Sequence, residues 1–363
     1  MRFLAALSVF FFHVAVFRIF EDTQVSEGIA YIFSRAGWIG VSFFFVLSGF
    51  ILTWAAKPND SMTAFWRRRF FKVFPNHVVT YALAMVLFAG ATVGGGTAVL
   101  NLLLLQSWVP SEDVYFSVNL PSWSLGCEML FYLLFPLLHR WIGRIRPQAL
   151  WGVAIGLLLV IAVLPLIAGA FLPARPTVVL PPGEDVSEAA YWFLYIFPAT
   201  RVLDFVLGIV LARVVLTGRW IGIGLLPLTV LFVFCYAAAL EAPQLYGLVA
   251  LTAVPLALMI PETAMLDVRK RETWLRTRPM QWLGEVSFAF YLVQWPVLLY
   301  GQELLGVERK FSLLTGTGVL LACFGITLLI AWLLYIGVER PAMRRWSKPR
   351  DGRKAPEKSR TAA

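Results

Sequence analysis

Eleven positions separate Arg2 from His13. On a helix that spacing is three turns plus about 20°, so the two side chains share a face about 16 Å apart along the axis. A guanidinium at the mouth of such a helix can hold the phosphates of a nucleotide-bearing donor. A neutral imidazole deeper along the same face can take the proton of an attacking hydroxyl. The pair also fits a plainer role, with Arg2 an orientation anchor and His13 a hydrogen-bonded packing residue.

A second group lies in Pro121-Ser122-Trp123-Ser124-Leu125-Gly126-Cys127-Glu128, continuing to Phe131, Tyr132 and Pro136. Ser124, Glu128 and Tyr132 fall on one helical face. If that helix enters the membrane near Ser122, Glu128 lies about 9 Å deep and His13 about 13 Å from the same surface. At that depth the carboxylate either orients the histidine or acceptor, or pairs with an intramembrane cation such as Arg201. A third group is basic: Phe65-Trp66-Arg67-Arg68-Arg69-Phe70-Phe71-Lys72. Arg69 and Lys72, one turn apart, can meet one anion together, or the cluster simply fixes topology.

Arg201 and Asp204, three apart, are expected to form an internal ion pair, and His77 and His139 to sit at interfacial helix ends. Cys127, Cys235 and Cys323 lie in apolar runs without metal-ligand spacing and read as small core residues. No metal site is expected. The glycines at 94–96, 222 and 224 follow no strand, which excludes a dinucleotide-binding loop.

The elements that must position these residues are membrane helices. The 363-residue chain is 59% hydrophobic and 14% charged, with mean hydropathy +0.75, and apolar runs of the roughly 20 residues a span requires recur throughout. The expected fold is all-α and polytopic, with about ten spans: 3–20, 37–56, 74–92, 122–139, 149–170, 191–212, 220–239, 245–262, 281–300 and 312–337. The first run lacks a cleavage site after Phe20 and reads as a retained helix. The shorter run 95–109 reads as re-entrant or interfacial. Most of the 31 Lys and Arg then fall in alternate segments on one side, placing both termini in the cytoplasm. This bias accounts for the net charge of +10 without a nucleic-acid partner. The expected domains are a transmembrane unit, 1–341, and a basic disordered cytoplasmic tail, 342–363, leaving no room for a separate soluble domain.

Taken together, these pieces resemble the acyltransferase-3 family of membrane O-acyltransferases. Arg2 through His13 is similar to the family's Arg-x10-His signature. Gly37-Trp38-Ile39-Gly40-Val41 through Phe50 is similar to a second block, and Trp123-Ser124-Leu125 with Glu128, Phe131, Tyr132 and Pro136 to a third. Leu283-Gly284-Glu285-Val286-Ser287 with Tyr291, Leu292 and Pro296 is similar to a late block, and Glu339-Arg340-Pro341 to the closing one. The resemblance implies acyl-coenzyme A, such as acetyl-CoA, bound from the cytoplasm. It makes His13 the catalytic base, Arg2 a donor contact, Arg69 and Lys72 the family's basic pair, and Glu128 its functional carboxylate, with Ser124 and Tyr132 positioning substrate. Lys72 stands where an arginine is common, and Gln294 where histidine often stands. The implied acceptor is a carbohydrate or lipid-linked carbohydrate, and the location a bacterial inner membrane, in contact with membrane lipid. Two other classes fit the same intramembrane charges: a transporter or flippase for a polysaccharide precursor, and a non-catalytic subunit of a polysaccharide-assembly complex.

Overall fold

A computed structural model describes residues 1–57 and 60–347. The chain is predominantly helical. In order come α1 (Arg2–Phe17), α2 (Thr23–Phe33), α3 (Ala36–Trp54), α4 (Met62–Ala84), α5 (Gly95–Leu102), α6 (Glu112–Tyr115), α7 (Trp123–Gly143) and α8 (Leu150–Phe171). A hairpin of β1 (Thr177–Leu180) and β2 (Glu184–Ser187) follows, then α9 (Glu188–Tyr191), α10 (Pro198–Leu216), α11 (Leu225–Glu241) and α12 (Gln244–Gly247). The last elements are α13 (Ala253–Val268), α14 (Arg278–Leu305), α15 (Leu313–Leu334) and α16 (Arg340–Trp346). Among the described residues six helical stretches are long and apolar enough to cross a membrane. Each expected span overlaps a helix, but not with the expected bounds: 245–262 is broken between α12 and α13, and α4 begins twelve residues before the expected 74.

Four local expectations change. The fold is not purely α, because Thr177–Leu180 pairs antiparallel with Glu184–Ser187. The β-branched Thr-Val-Val run favours a strand, and Pro181-Pro182-Gly183 makes the turn, with Gly183 at φ 140° where glycine alone is comfortable. The segment 21–36 is not a plain loop, since Asp22 caps α2 by accepting from the Gln24 and Val25 backbone amides. The third expected span, 74–92, starts earlier, because α4 begins at Met62 with the basic cluster in its first turns and Pro75 inside it. Finally, Ala342–Trp346 continues α16 rather than forming a disordered tail; residues 348–363 of that expected tail lie outside the described residues.

Helix α3 organises the core through its glycines. A Cβ at Gly40 would overlap Ser8 and the Ala5 carbonyl of α1, and one at Gly37 would meet the Phe12 ring. About two and a half turns beyond, a Cβ at Gly49 would overlap the Phe205 carbonyl of α10, and one at Gly208 the Val46 carbonyl of α3. In lipid, where burial of apolar surface gives little drive between helices, such backbone-to-backbone approach is what packs them. The other side of α1 is aromatic. Phe10 lies 5.7 Å from Phe290 of α14 and 5.6 Å from Phe324 of α15. Helix α1 is thus wedged between glycines and aromatic rings, and His13 is fixed with it.

The bundle has two distinct ends. At one, Arg18 donates to the Pro182 carbonyl of the hairpin at 2.9 Å and Lys310 to the Arg18 carbonyl at 2.8 Å. At the other lie Met1, the Asp267–Arg276 ion pair at 3.1 Å and a 670 Å³ recess lined by Met1, Trp54, Asp267 and Arg276.

Candidate active site

His13 is buried, with 3% of its surface exposed, and its Nδ1 has no hydrogen-bond partner among the described residues. The ring borders a 190 Å³ cavity that it shares with Trp38, Glu112, Tyr191, Tyr291 and Trp295. Trp295 stands edge-on to the imidazole, with centroids 5.0 Å apart, and Phe17 stacks behind it at 5.6 Å. Val179, Leu180 and Pro181 of the hairpin also line the space, so the cavity belongs to the Arg18 end of the bundle. An imidazole that borders a cavity and keeps an unpartnered ring nitrogen has the chemistry to exchange a proton with a hydroxyl placed there.

Glu128 does not join this group. Tyr132 donates to its Oε2 at 2.8 Å, and no hydrogen bond links Glu128 to His13 among the described residues. The charges that bear on the Glu128 carboxylate are those of Arg2, Arg69 and Lys72. Arg2 and Arg69 thus act on both Glu128 and Tyr132, and Lys72 on Glu128, while Glu128 also bears on Tyr291 of the cavity wall. The Arg69 guanidinium lies over Tyr132 at 6.0 Å and Phe65 at 5.6 Å, with its buried Nε unpartnered. Lys72 is ion-paired with buried Glu339, which also accepts from Asn76 Nδ2 at 2.7 Å.

Ser124 turns the other way. Its Oγ lies 2.8 Å from the Tyr291 hydroxyl, which donates to the Pro121 carbonyl at 3.2 Å. Because Tyr291 lines the His13 cavity, Ser124 acts on that cavity's wall. Arg201 pairs with Asp204 at 2.6 Å, as the spacing requires, and also donates to Ser42 Oγ at 2.8 Å. It is thus not available to Glu128. His77 is buried rather than interfacial: its Nε2 lies 3.1 Å from the Asn101 carbonyl and 3.2 Å from that of Leu102, and so ties α4 to α5. His139 is half-buried against Phe135. Cys127 is buried and lies 3.4 Å from the Ile196 carbonyl.

Sequence reasoning missed Trp295, Glu112 and the hairpin. Trp295 is adjacent to Gln294 in the late block, and a helix that brings Tyr291 to the site also brings position 295 one turn on. Glu112 sits in a four-residue helix with no periodicity to mark it. Only tertiary contact reveals its role.

Residues 1–336 match the family model described as an acyltransferase domain. The chain belongs to the acyltransferase-3 family. This acyltransferase is 39% identical to Acyltransferase MdmB of Streptomyces mycarofaciens, over 98% of this chain and 94% of that protein. It is 26% identical to Exopolysaccharide production protein ExoZ of Rhizobium meliloti, over 85% and 90% respectively. Identity to Peptidoglycan O-acetyltransferase OatA of Listeria monocytogenes is 25%, over 76% of this chain but 47% of that protein. No solved structure matches the acyltransferase. It is a multi-pass membrane enzyme.

Proposed function

We propose that this enzyme is an O-acyltransferase of a bacterial inner membrane that moves an acyl group, such as acetyl, from acyl-coenzyme A to a carbohydrate hydroxyl. The observation that carries the reading is His13, buried on the lining of a cavity, with its Nδ1 enclosed and unpartnered. The relatives named for exopolysaccharide production and peptidoglycan O-acetylation favour a surface polysaccharide or its lipid-linked precursor as acceptor. The ten-span arrangement with cytoplasmic termini follows from the basic segments, and puts the Arg2 end inside the cell.

In this reading Arg2 and Arg69 meet the donor's phosphates, with Lys72 contributing from its pair with Glu339. Glu128 and Tyr132 hold those cations in place. About 16 Å of helix rise separates Arg2 from His13, a gap suited to the long flexible arm between the phosphates and thioester of coenzyme A. His13 accepts the proton of the acceptor hydroxyl as its oxygen attacks the thioester carbonyl. The carbon–sulfur bond then breaks, and the departing thiolate takes the proton from the imidazolium. Ser124 acts by anchoring Tyr291 at the cavity wall.

Purified full-length enzyme should release free coenzyme A from acetyl-CoA only when a carbohydrate acceptor is present. His13→Ala should abolish that release while the protein still inserts and accumulates, and Glu128→Gln should weaken it. Unchanged acylation of cell-surface glycan in cells carrying only His13→Ala would end the catalytic assignment.

A further inference from the structure

The His13 cavity has an unbalanced charge. Glu112 lines it, and the carboxylates of Glu188 and Asp113 bear on Glu112. Glu188 accepts from the Glu112 backbone amide at 2.5 Å, which fixes this cluster at the cavity's edge. Among the described residues no lysine or arginine lines the cavity, although Arg35 lies over the Trp38 ring at 5.5 Å and Arg201, paired with Asp204, over Tyr195 at 5.4 Å. The remaining walls are strongly aromatic, with Trp38, Tyr191, Tyr291 and Trp295 around the same space as Glu112 and His13. A neutral acceptor hydroxyl gains one hydrogen bond from that carboxylate. An alkylammonium gains twice, from the carboxylate and from the negative faces of the rings. His13 supplies an independent mark of a ligand site, being 3% exposed with Nδ1 unpartnered on the same cavity.

We propose that the acceptor carries a protonated amine beside its reactive hydroxyl, held by Glu112 within this aromatic cage, so that amino-sugar-type acceptors are preferred over neutral ones. The proposal rests on the acyltransferase reading for its use but not for its test. At 190 Å³ the cavity is smaller than the roughly 300–1,000 Å³ that encloses a whole drug-sized ligand. It therefore takes one amine-bearing group, the rest of the acceptor extending past the hairpin residues Val179, Leu180 and Pro181. Glu112 is a positioning residue here. It holds the acceptor while His13 handles the proton.

The test compares choline with 3,3-dimethylbutan-1-ol, which has the same shape with carbon in place of the charged nitrogen. Binding to the full-length enzyme in lipid nanodiscs is measured by calorimetry. Choline should bind about tenfold more tightly than its neutral counterpart. Glu112→Gln should erase that preference without lowering the thermal midpoint or the monodispersity of the protein, and Glu112→Asp should restore part of it. His13→Ala should keep the choline preference and lose acyl transfer. Equal affinity for the two probes, binding of neither, or a preference that survives Glu112→Gln overturns the amine proposal and leaves the acyltransferase reading untouched. Normal turnover in His13→Ala alongside a clear choline preference does the reverse.

Discussion

The Trp295 indole stands edge-on to the His13 imidazole, with ring centroids 5.0 Å apart and planes at 65°. Trp295 in turn stacks on Phe17, four residues beyond His13 on α1. The imidazole is thus held by a ring that its own helix supports from the other side. Edge-to-face pairs of this kind contribute about 0.5–1.5 kcal/mol beyond burial.

Trp295→Leu should accordingly lower kcat by about tenfold, with the donor KM little changed, because the mutation loosens the proposed base without touching Arg2, Arg69 or Lys72. Trp295→Phe should recover much of the loss. Steady-state kinetics on purified protein would decide. A rise in donor KM with kcat unchanged would place Trp295 on the donor path instead.

Gly208 meets the Val46 carbonyl so closely that a methyl group cannot be added without separating α3 from α10. Overpacking typically costs about 1–3 kcal/mol, so Gly208→Ala should lower the thermal midpoint in detergent clearly. Gly152 on α8 faces open space. Gly152→Ala should be neutral or slightly stabilising, by up to about 1 kcal/mol through helix propensity. Equal behaviour of the two variants in a thermal-shift measurement would show that the α3–α10 crossing is not backbone-limited.

Glu339 is buried and accepts from both Lys72 and Asn76. Glu339→Ala leaves those two donors unsatisfied, at a cost of about 1–3 kcal/mol. The pairing with Lys72 is discounted for that lysine's 25% side-chain exposure. In a double-mutant cycle, Lys72→Met should be less damaging in the Glu339→Ala background than alone. Additive effects would mean that the pair contributes nothing beyond its separate members.

Glu112 lies outside the membrane-spanning helices, and burial, then the neighbouring Glu188 and Asp113, hold its pKa above the ordinary carboxylate value. The carboxylate form is therefore gained at higher pH than for a free glutamate. Choline affinity should rise with pH through that elevated value; the other ionisable groups on the cavity are His13, Tyr191, Tyr195 and Tyr291. The same shift makes the folded state bind the proton more strongly than the unfolded chain. Glu112 thus detracts from stability progressively as pH climbs from the unfolded to the folded pKa. In Glu112→Gln both the binding step and this stability slope should vanish. A calorimetric pH series on wild type and variant would reveal either result.

Much of this protein is written in local sequence. Apolar runs of spanning length marked a predominantly helical membrane chain, since lipid leaves backbone polar groups no partner but their own helix. The 3.6-residue period put Arg2 and His13 on one face, made Tyr132 reach Glu128 one turn away, and brought Arg201 to Asp204. Contacts one or two turns apart are set by helix geometry alone, whatever surrounds them.

Tertiary packing decided what no spacing could. Matching the depths of Glu128 and His13 by counting residues placed them together, yet depth is one coordinate of three. The lateral arrangement of helices gave Glu128 the charges of Arg2, Arg69 and Lys72 and gave His13 the company of Trp295 and Glu112. Glu339, distant in sequence, claimed Lys72. The hairpin escaped notice because a four-residue strand is stabilised by its partner across the turn rather than by its own pattern. Long-range neighbours are chosen by shape and charge at the meeting of helices, and those meet only in the folded chain.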